Sequence, residues 1–146
     1  MNIELKKVKH SAALSEETDA FFAEVWVDGV MRGTAKNDGH GGANRYEPHA
    51  LRQELNEYAK TLPKYRCASG LELDYDADLL VGEAFDRWQY TKDLKSKLSK
   101  RTIFIAGGKL YSCRLGANPK DAELILNNMS LDEAVKVYIR CIENMS

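Results

Sequence analysis

The chain predicts an α+β fold, with an antiparallel sheet (an N-terminal meander plus a later hairpin) packed by about four helices. Three observations predict it. Segments of strand period cluster at the N-terminus and recur once later, instead of alternating with helical segments. The glycine turns Asp28-Gly29 and Gly107-Gly108 each sit between strand-like runs. Apolar residues at spacings of three and four occupy the middle and the end of the chain. A length of 146 residues favours one domain, residues 1–146.

Ile3, Leu5 and Val8 mark a short first strand, and residues 12–17 a connection in which Ser15 can turn the chain. Thr18 to Val27 alternates most clearly. Phe21, Ala23, Val25 and Val27 share one face, and Phe22, Glu24, Trp26 and Asp28 the other. Two aromatics on the polar face predict a partial cover over it. Asp28-Gly29 suits a type I′ turn, whose two central residues need positive φ, so Val30 to Lys36 returns antiparallel.

Pro48 is placed to open a helix running to Leu62, with Leu51, Leu55, Tyr58, Ala59 and Leu62 on its apolar face and Pro63 as its stop. Leu71-Glu72-Leu73 offers a short strand. A longer helix spans Ala77 to Lys100, with Val81, Phe85, Trp88, Leu94 and Leu98 on one stripe. Asp76 or Asp78 can cap its start, and lysines crowd its end. Residues 102–105 and 110–113 form a hairpin around Ala106 to Lys109. Asn118-Pro119 predicts a short helix ending near Asn128. Ser130 and Glu133 form a capping box for the last helix, which buries Leu131, Ala134, Val135, Tyr138, Cys141 and Ile142.

A net charge of −1 and a sequence pI of about 6.3 give no global attraction to nucleic acid or an anionic membrane. No apolar run is long enough to span a bilayer, and residues 1–7 lack the apolar stretch of a secretion signal, so the expected location is cytoplasmic. Cys67, Cys113 and Cys141 are odd in number and widely spaced, which supports neither a disulfide framework nor a zinc site. Cys113 and Cys141 fall on apolar faces and are expected to be buried thiols.

The loop from Asn37 to Arg45 concentrates glycine and polar side chains between a hairpin and a helix, where recognition residues are often carried. Gly39, Gly41 and Gly42 permit positive φ, and their amides, with Lys36 and Arg45, have the chemistry of a phosphate cradle. The pattern lacks the G-K-[ST] ending of a phosphate loop and the strand-to-helix setting of G-x-G-x-x-G. His40, Asn44 and His49 follow the residue order of a ββα-metal nuclease but not its spacing. Asp74, Asp76 and Asp78 open like a calcium loop, then Leu79 and Phe85 occupy the places of its glycine and closing glutamate. Lys92, Lys95, Lys97, Lys100 and Arg101 form the densest basic run. No nucleophile stands in a recognisable catalytic setting. The candidate binding residues are therefore Asn37, Asp38, Gly39, His40, Gly41, Gly42, Asn44, Arg45, Trp26, Lys92, Lys95 and Arg101, with no catalytic residue, metal or cofactor assigned.

Leu14 to Thr18, the strand into Val27-Asp28-Gly29, and Asn37 to Gly42 together resemble a group of small, uncharacterised phage, prophage and bacterial proteins. The lysine-rich stretch Leu94 to Arg101 is similar to the second half of that group. The resemblance implies a mobile-element setting and no established activity. The expected function is a non-enzymatic binding protein that engages a host protein, in an anti-defence or regulatory role. One alternative is a nucleic-acid or nucleotide binder using the loop amides, Lys36, Arg45 and the Lys92 to Arg101 patch. The other is a metal-dependent hydrolase using Asp38, His40 and His49.

Overall fold

The computed structural model describes residues 1–67 and 69–144. Helices and antiparallel sheets are mixed along the chain, as α+β requires. The chain divides into two compact units, Met1–Phe85 and Asp86–Ser146.

The first unit is built on a four-stranded antiparallel sheet in the order β1 (Ile3–Ser11), β2 (Ala20–Val27), β3 (Val30–Asn37), β4 (Arg45–Glu47). The alternation expected of β2 holds: Phe21, Ala23, Val25 and Val27 are buried, and Phe22 is exposed. Asp28 and Gly29 adopt φ of 50° and 81°, and Val27 pairs with Val30, which closes a two-residue turn of the I′ kind. The sheet carries two irregularities. One lies in β1 between Lys6 and Lys9, the other in β3, where Val25 faces Gly33 and Trp26 faces Met31.

Helix α1 covers Ala50–Ala59 and buries Leu51, Leu55 and Ala59. It starts two residues after Pro48, whose bond to Glu47 is cis, and Lys60 caps its end, so it is shorter than the expected span to Leu62. Thr61 and Leu62 leave the helix through tighter bonds to the carbonyls of Tyr58 and Ala59. A two-strand ribbon, β5 (Tyr65–Arg66) with β6 (Glu72–Leu73), follows. Helix α2 (Ala77–Leu98) begins in this unit. Asp76 caps it by accepting from the Leu79 amide at 2.8 Å, and Asn56 accepts from the Ala77 amide at 2.7 Å. Its residue Phe85 stacks on Phe21 at 5.0 Å and meets the edge of His10 at 5.1 Å.

The second unit holds a three-stranded sheet in the order β8 (Lys109–Arg114), β7 (Arg101–Ala106), β9 (Leu124–Ile125), with helix α3 (Leu131–Asn144). Its core joins Leu94, Ile103, Ile105, Leu126, Ala134, Val135 and Tyr138. Gly107 and Gly108 take positive φ in the expected hairpin. Ser130 accepts from the Glu133 amide at 3.3 Å, forming that half of the expected capping box.

Among the described residues three α-helices are present instead of about four. The segment expected to be helical up to Asn128 forms β9 and one turn of 3-10 helix, Leu126–Asn128. Its backbone groups are satisfied across the unit. Glu123 N–H donates to Ile105 at 2.7 Å, and Asn127 takes the Ile103 amide at 2.8 Å while donating to the carbonyls of Leu98 and Arg101. The three cysteines are free thiols and half-buried, so Cys113 and Cys141 are less enclosed than their apolar faces implied. Among the described residues, no helix is long and apolar enough to cross a membrane.

Tyr138 ties α3 to α2. Its hydroxyl donates to Asp93 and accepts from Lys97 Nζ at 2.8 Å, and Lys97 reaches Asp93 at 3.1 Å. The Tyr138 bond holds the Asp93 carboxyl below its usual value, and burial raises the Tyr138 hydroxyl above its own. A lowered carboxyl pKa stabilises the fold above the ordinary value of 3.8 and loses that effect as pH falls. A raised phenol pKa stabilises below the ordinary value of 10.0 and loses its effect as pH rises. Tyr138→Phe is therefore expected to cost about 1–2 kcal/mol near neutral pH. The deficit against wild type should shrink below about pH 4 in urea titrations, and an equal deficit at every pH would contradict the assignment.

Candidate functional site

The glycine-rich loop is organised by one side chain. Asn37 ends β3 and is buried, with 9% of its surface exposed. Its Oδ1 accepts from Thr18 Oγ1 at 2.7 Å and from the Gly39 amide at 2.9 Å. Its Nδ2 donates to the Gly42 carbonyl at 2.9 Å and to Asn44 Oδ1 at 3.0 Å. All four of the amide's main bonding directions are thus used to fold residues 38–44 around it. Gly39 is the glycine this geometry requires. It adopts φ of 86°, and an added Cβ would strike the Leu14 carbonyl. Its own carbonyl accepts the amides of Glu16 and Glu17 at 3.0 Å, which docks the β1–β2 connection onto the loop.

The loop continues into a polar network. Tyr46, buried in β4, donates to Asp78 at 2.8 Å and accepts from Asn44 Nδ2 at 3.3 Å. Burial, above all, pushes its hydroxyl pKa well above the usual tyrosine value. Arg52 of α1 lies over the Tyr46 ring, donates to the Asn44 carbonyl and pairs with Asp78 at 3.4 Å. Asp78 also accepts from the Asn44 amide at 3.3 Å. It serves as an anchor for the loop, while Asp76 does the capping.

These bonds take up two of the three glycine amides of the expected cradle, those of Gly39 and Gly41. The Gly39 amide goes to Asn37, the Gly41 amide to Thr18 at 3.2 Å, and the Asn44 amide to Asp78. Gly39 and Gly41 take positive φ, and Gly42 does not. Among the described residues, no group of three His, Cys, Asp or Glu could hold a metal ion, and Asp38, His40 and His49 do not form one.

The accessible chemistry lies beside the loop, on the solvent face of the sheet. Strand register places Lys9, Phe22, Lys36 and Arg45 opposite one another in a single row across all four strands. Phe22 is 40% exposed and stands between the two lysines. Arg45 and Lys36 both reach Asp38, at 3.1 and 3.8 Å, whereas Lys9 has no ion pair among the described residues. An open groove of about 520 Å³ adjoins the row, lined in part by His10, Leu14, Phe22, Lys36 and His40. Leu14 is 60% exposed at its rim. His40 faces Glu16 at 3.2 Å, and His10 faces Asp19 at 3.5 Å.

The candidate residues thus separate into groups. Asn37, Gly39 and Asn44 build the loop, and Gly41 gives its amide to Thr18. Asp38, His40 and Arg45 face the groove or its bordering row, and Gly42 supplies only a carbonyl. Trp26 lies on the same sheet face as Phe22 but two rows away, beyond Glu24. Its indole donates to Glu24 at 3.1 Å, and Lys6 Nζ sits 3.9 Å over the ring, a partial cover of the kind its place on the polar face called for. Lys92, Lys95 and Arg101 belong to the second unit. Lys92 lies 5.2 Å over Trp88. Lys9 and Leu14 are absent from the candidates the sequence offers, and Phe22 is read there only as an aromatic on the polar face of its strand. Their signal, an aromatic flanked by lysines, appears only when three strands are aligned.

No protein-family model, curated protein or solved structure matches the chain.

Proposed function

We propose that this is a non-enzymatic binding protein of phage or prophage type that engages a host protein, as an anti-defence or regulatory inhibitor, through the face around Phe22. The observation that carries the reading is the row Lys9–Phe22–Lys36–Arg45 beside an open groove. Exposed aromatic and arginine side chains, here Phe22 and Arg45, are residue types enriched in interface cores. The first unit carries ten Lys and Arg against fifteen Asp and Glu, so this row is a basic island on an acidic body. Such an island favours one partner chemistry, an acidic segment with an apolar anchor, and rejects basic surfaces by repulsion. The loop beneath holds its polar groups in internal bonds, which gives the face the rigidity that binding without reordering needs.

The test is crosslinking and affinity capture from host lysate with wild type and with Phe22→Ala, Lys9→Glu and Leu14→Ala. Phe22→Ala is expected to weaken capture of the specific partner by about tenfold or more, equivalent to roughly 2 kcal/mol. Lys9→Glu should act mainly on the association rate and lose its effect at high salt. Undiminished capture by all three variants, each folded by circular dichroism, would remove this face from the function.

A further inference from the structure

We propose that β8, the open edge of the second unit's sheet, takes up an extended acidic segment of a partner protein as a further strand. This step goes beyond the host-protein reading and uses none of its residues.

β8 is an edge strand, with β7 on one side only. Its pairing with β7 runs without a break from Lys109 to Arg114. Ala106 and Lys109 flank the Gly107-Gly108 turn and so exchange their backbone bonds. Backbone direction alternates from there. Lys109, Tyr111 and Cys113 bond to β7, while Leu110, Ser112 and Arg114 turn their N–H and C=O groups outward. The opposite side of β7 shows the same parity: the Ile105 carbonyl accepts from the Glu123 amide, and the Ile103 amide donates to Asn127. The Arg114 carbonyl accepts from the Ala117 amide at 3.0 Å, which marks the end of the strand. Among the described residues nothing bonds the other outward groups of Leu110, Ser112 and Arg114. Ser112 and Arg114 are exposed, and Leu110 is half-buried.

The other edges of the two larger sheets are guarded. β1 is interrupted between Lys6 and Lys9, has Lys7 at φ of 50°, and carries three lysines. β4 has three residues and β9 two. Bulges, lysines and short strands are common defences against an added strand. β8 is regular along its length, with its cations at the two ends.

Charge selects the occupant. Arg114 and its cross-strand partner Arg101 lie on the Ile103 and Ile105 side of the sheet, and Lys109 lies on the Tyr111 side. None of these three cations has a carboxylate partner among the described residues. The unit carries eleven Lys and Arg against seven Asp and Glu, a net +4 that the chain total of −1 conceals. An added strand sets one side chain beside each β8 residue, on the same face. An antiparallel segment can therefore answer β8 position by position. An acidic residue stands opposite Arg114, an apolar one three places later opposite Tyr111, and an acidic one two places further on opposite Lys109. Tyr111 is 48% exposed and stacks on Phe104 at 5.7 Å, which gives the apolar residue a fixed surface. A second copy of the chain is the poorer match, because β8 contains no acidic residue to bring to these cations.

The test uses the whole protein, a capped synthetic peptide of sequence TEVTFTET, and amide hydrogen exchange followed by NMR. In the free protein the Leu110, Ser112 and Arg114 amides should exchange freely, and those of Tyr111 and Cys113 slowly. Peptide at about 1 mM should slow the first three roughly fivefold or more. TKVTFTKT, with lysine for both glutamates, should not. The concentration for half-maximal slowing gives the affinity. Ser112→Pro removes an outward donor and keeps the bonds to β7, so it should fold, as circular dichroism checks, and should weaken binding about 5- to 10-fold. Arg114→Glu should weaken TEVTFTET roughly fivefold and regain binding with TKVTFTET, whose lysine stands opposite the new carboxylate. Phe22→Ala should leave the slowing at β8 as in wild type, so failure here and failure of the host-protein reading remain distinct. The proposal is overturned by no slowing at that concentration, by equal slowing with TKVTFTKT, or by Leu110 and Ser112 amides already protected in the free monomer. Indifference to both Ser112→Pro and Arg114→Glu, or a dimer in sedimentation that Ser112→Pro dissolves, overturns it as well.

Discussion

Asn37→Ala is expected to destabilise the first unit by about 3 kcal/mol or more and to release the glycine-rich loop. The magnitude follows from what the amide leaves behind. Thr18 Oγ1 and the Gly39 amide lose their acceptor, and the Gly42 carbonyl and Asn44 Oδ1 lose their donor. A buried polar group left without a partner costs about 1–3 kcal/mol, and water entering the opened site recovers part of the total. Asn37→Asp separates the two halves of the network. It keeps the acceptor for Thr18 and Gly39 but sets a carboxylate against the Gly42 carbonyl, so it should fall between wild type and alanine. Urea denaturation gives the magnitude, and amide hydrogen exchange at Gly39 and Gly41 locates it. Unchanged protection at those two amides in Asn37→Ala would show that the loop does not depend on this residue.

The features legible in the sequence are those set by neighbours along the chain. The alternation of β2 and the Asp28-Gly29 turn depend on side-chain period and on φ preference, and both are found where expected. The role of Asn37 depends on Thr18 and Asn44 and so could be read only as polarity in a loop. The row through Phe22 is further from view. The irregularity between Lys6 and Lys9 shifts β1 by a step, so Lys9 faces Phe22 only once that shift is known. The segment before Asn128 failed as a helix because its partners lie on β7 and at the end of α2, outside any local window. The charge division between the units needs only counting, yet it needs the boundary at Phe85 first. Trp26 is half-buried, with Lys6 over its ring and its indole bonded to Glu24, neither of which a single strand's alternation shows.

Gly33→Ala should destabilise the first unit by about 3 kcal/mol, and the reason is space. Gly33 is buried at the irregularity in β3, where the sheet bends toward β4 and α1. A Cβ there would collide with the Glu47 carbonyl and come within 2.9 Å of Leu51 Cδ2 and 3.0 Å of Pro48 Cδ. The leucine contact is the end of a flexible side chain and can turn away. The Glu47 carbonyl is backbone, held where Thr34 pairs with Glu47, so relief means parting β4 from β3 and shifting the start of α1. That movement would disturb Tyr46 and Arg52, the residues that anchor the loop. Two outcomes discriminate. If the carbonyl dominates, adding Leu51→Ala to Gly33→Ala deepens the loss, because it removes a buried side chain without touching the clash. If the double variant is instead more stable than Gly33→Ala alone, the leucine was the obstacle and β4 is free to stay in register. Urea denaturation of the two single variants and the double variant completes the cycle, and the Lys36–Arg45 end of the Phe22 row should lose its register only in the first case.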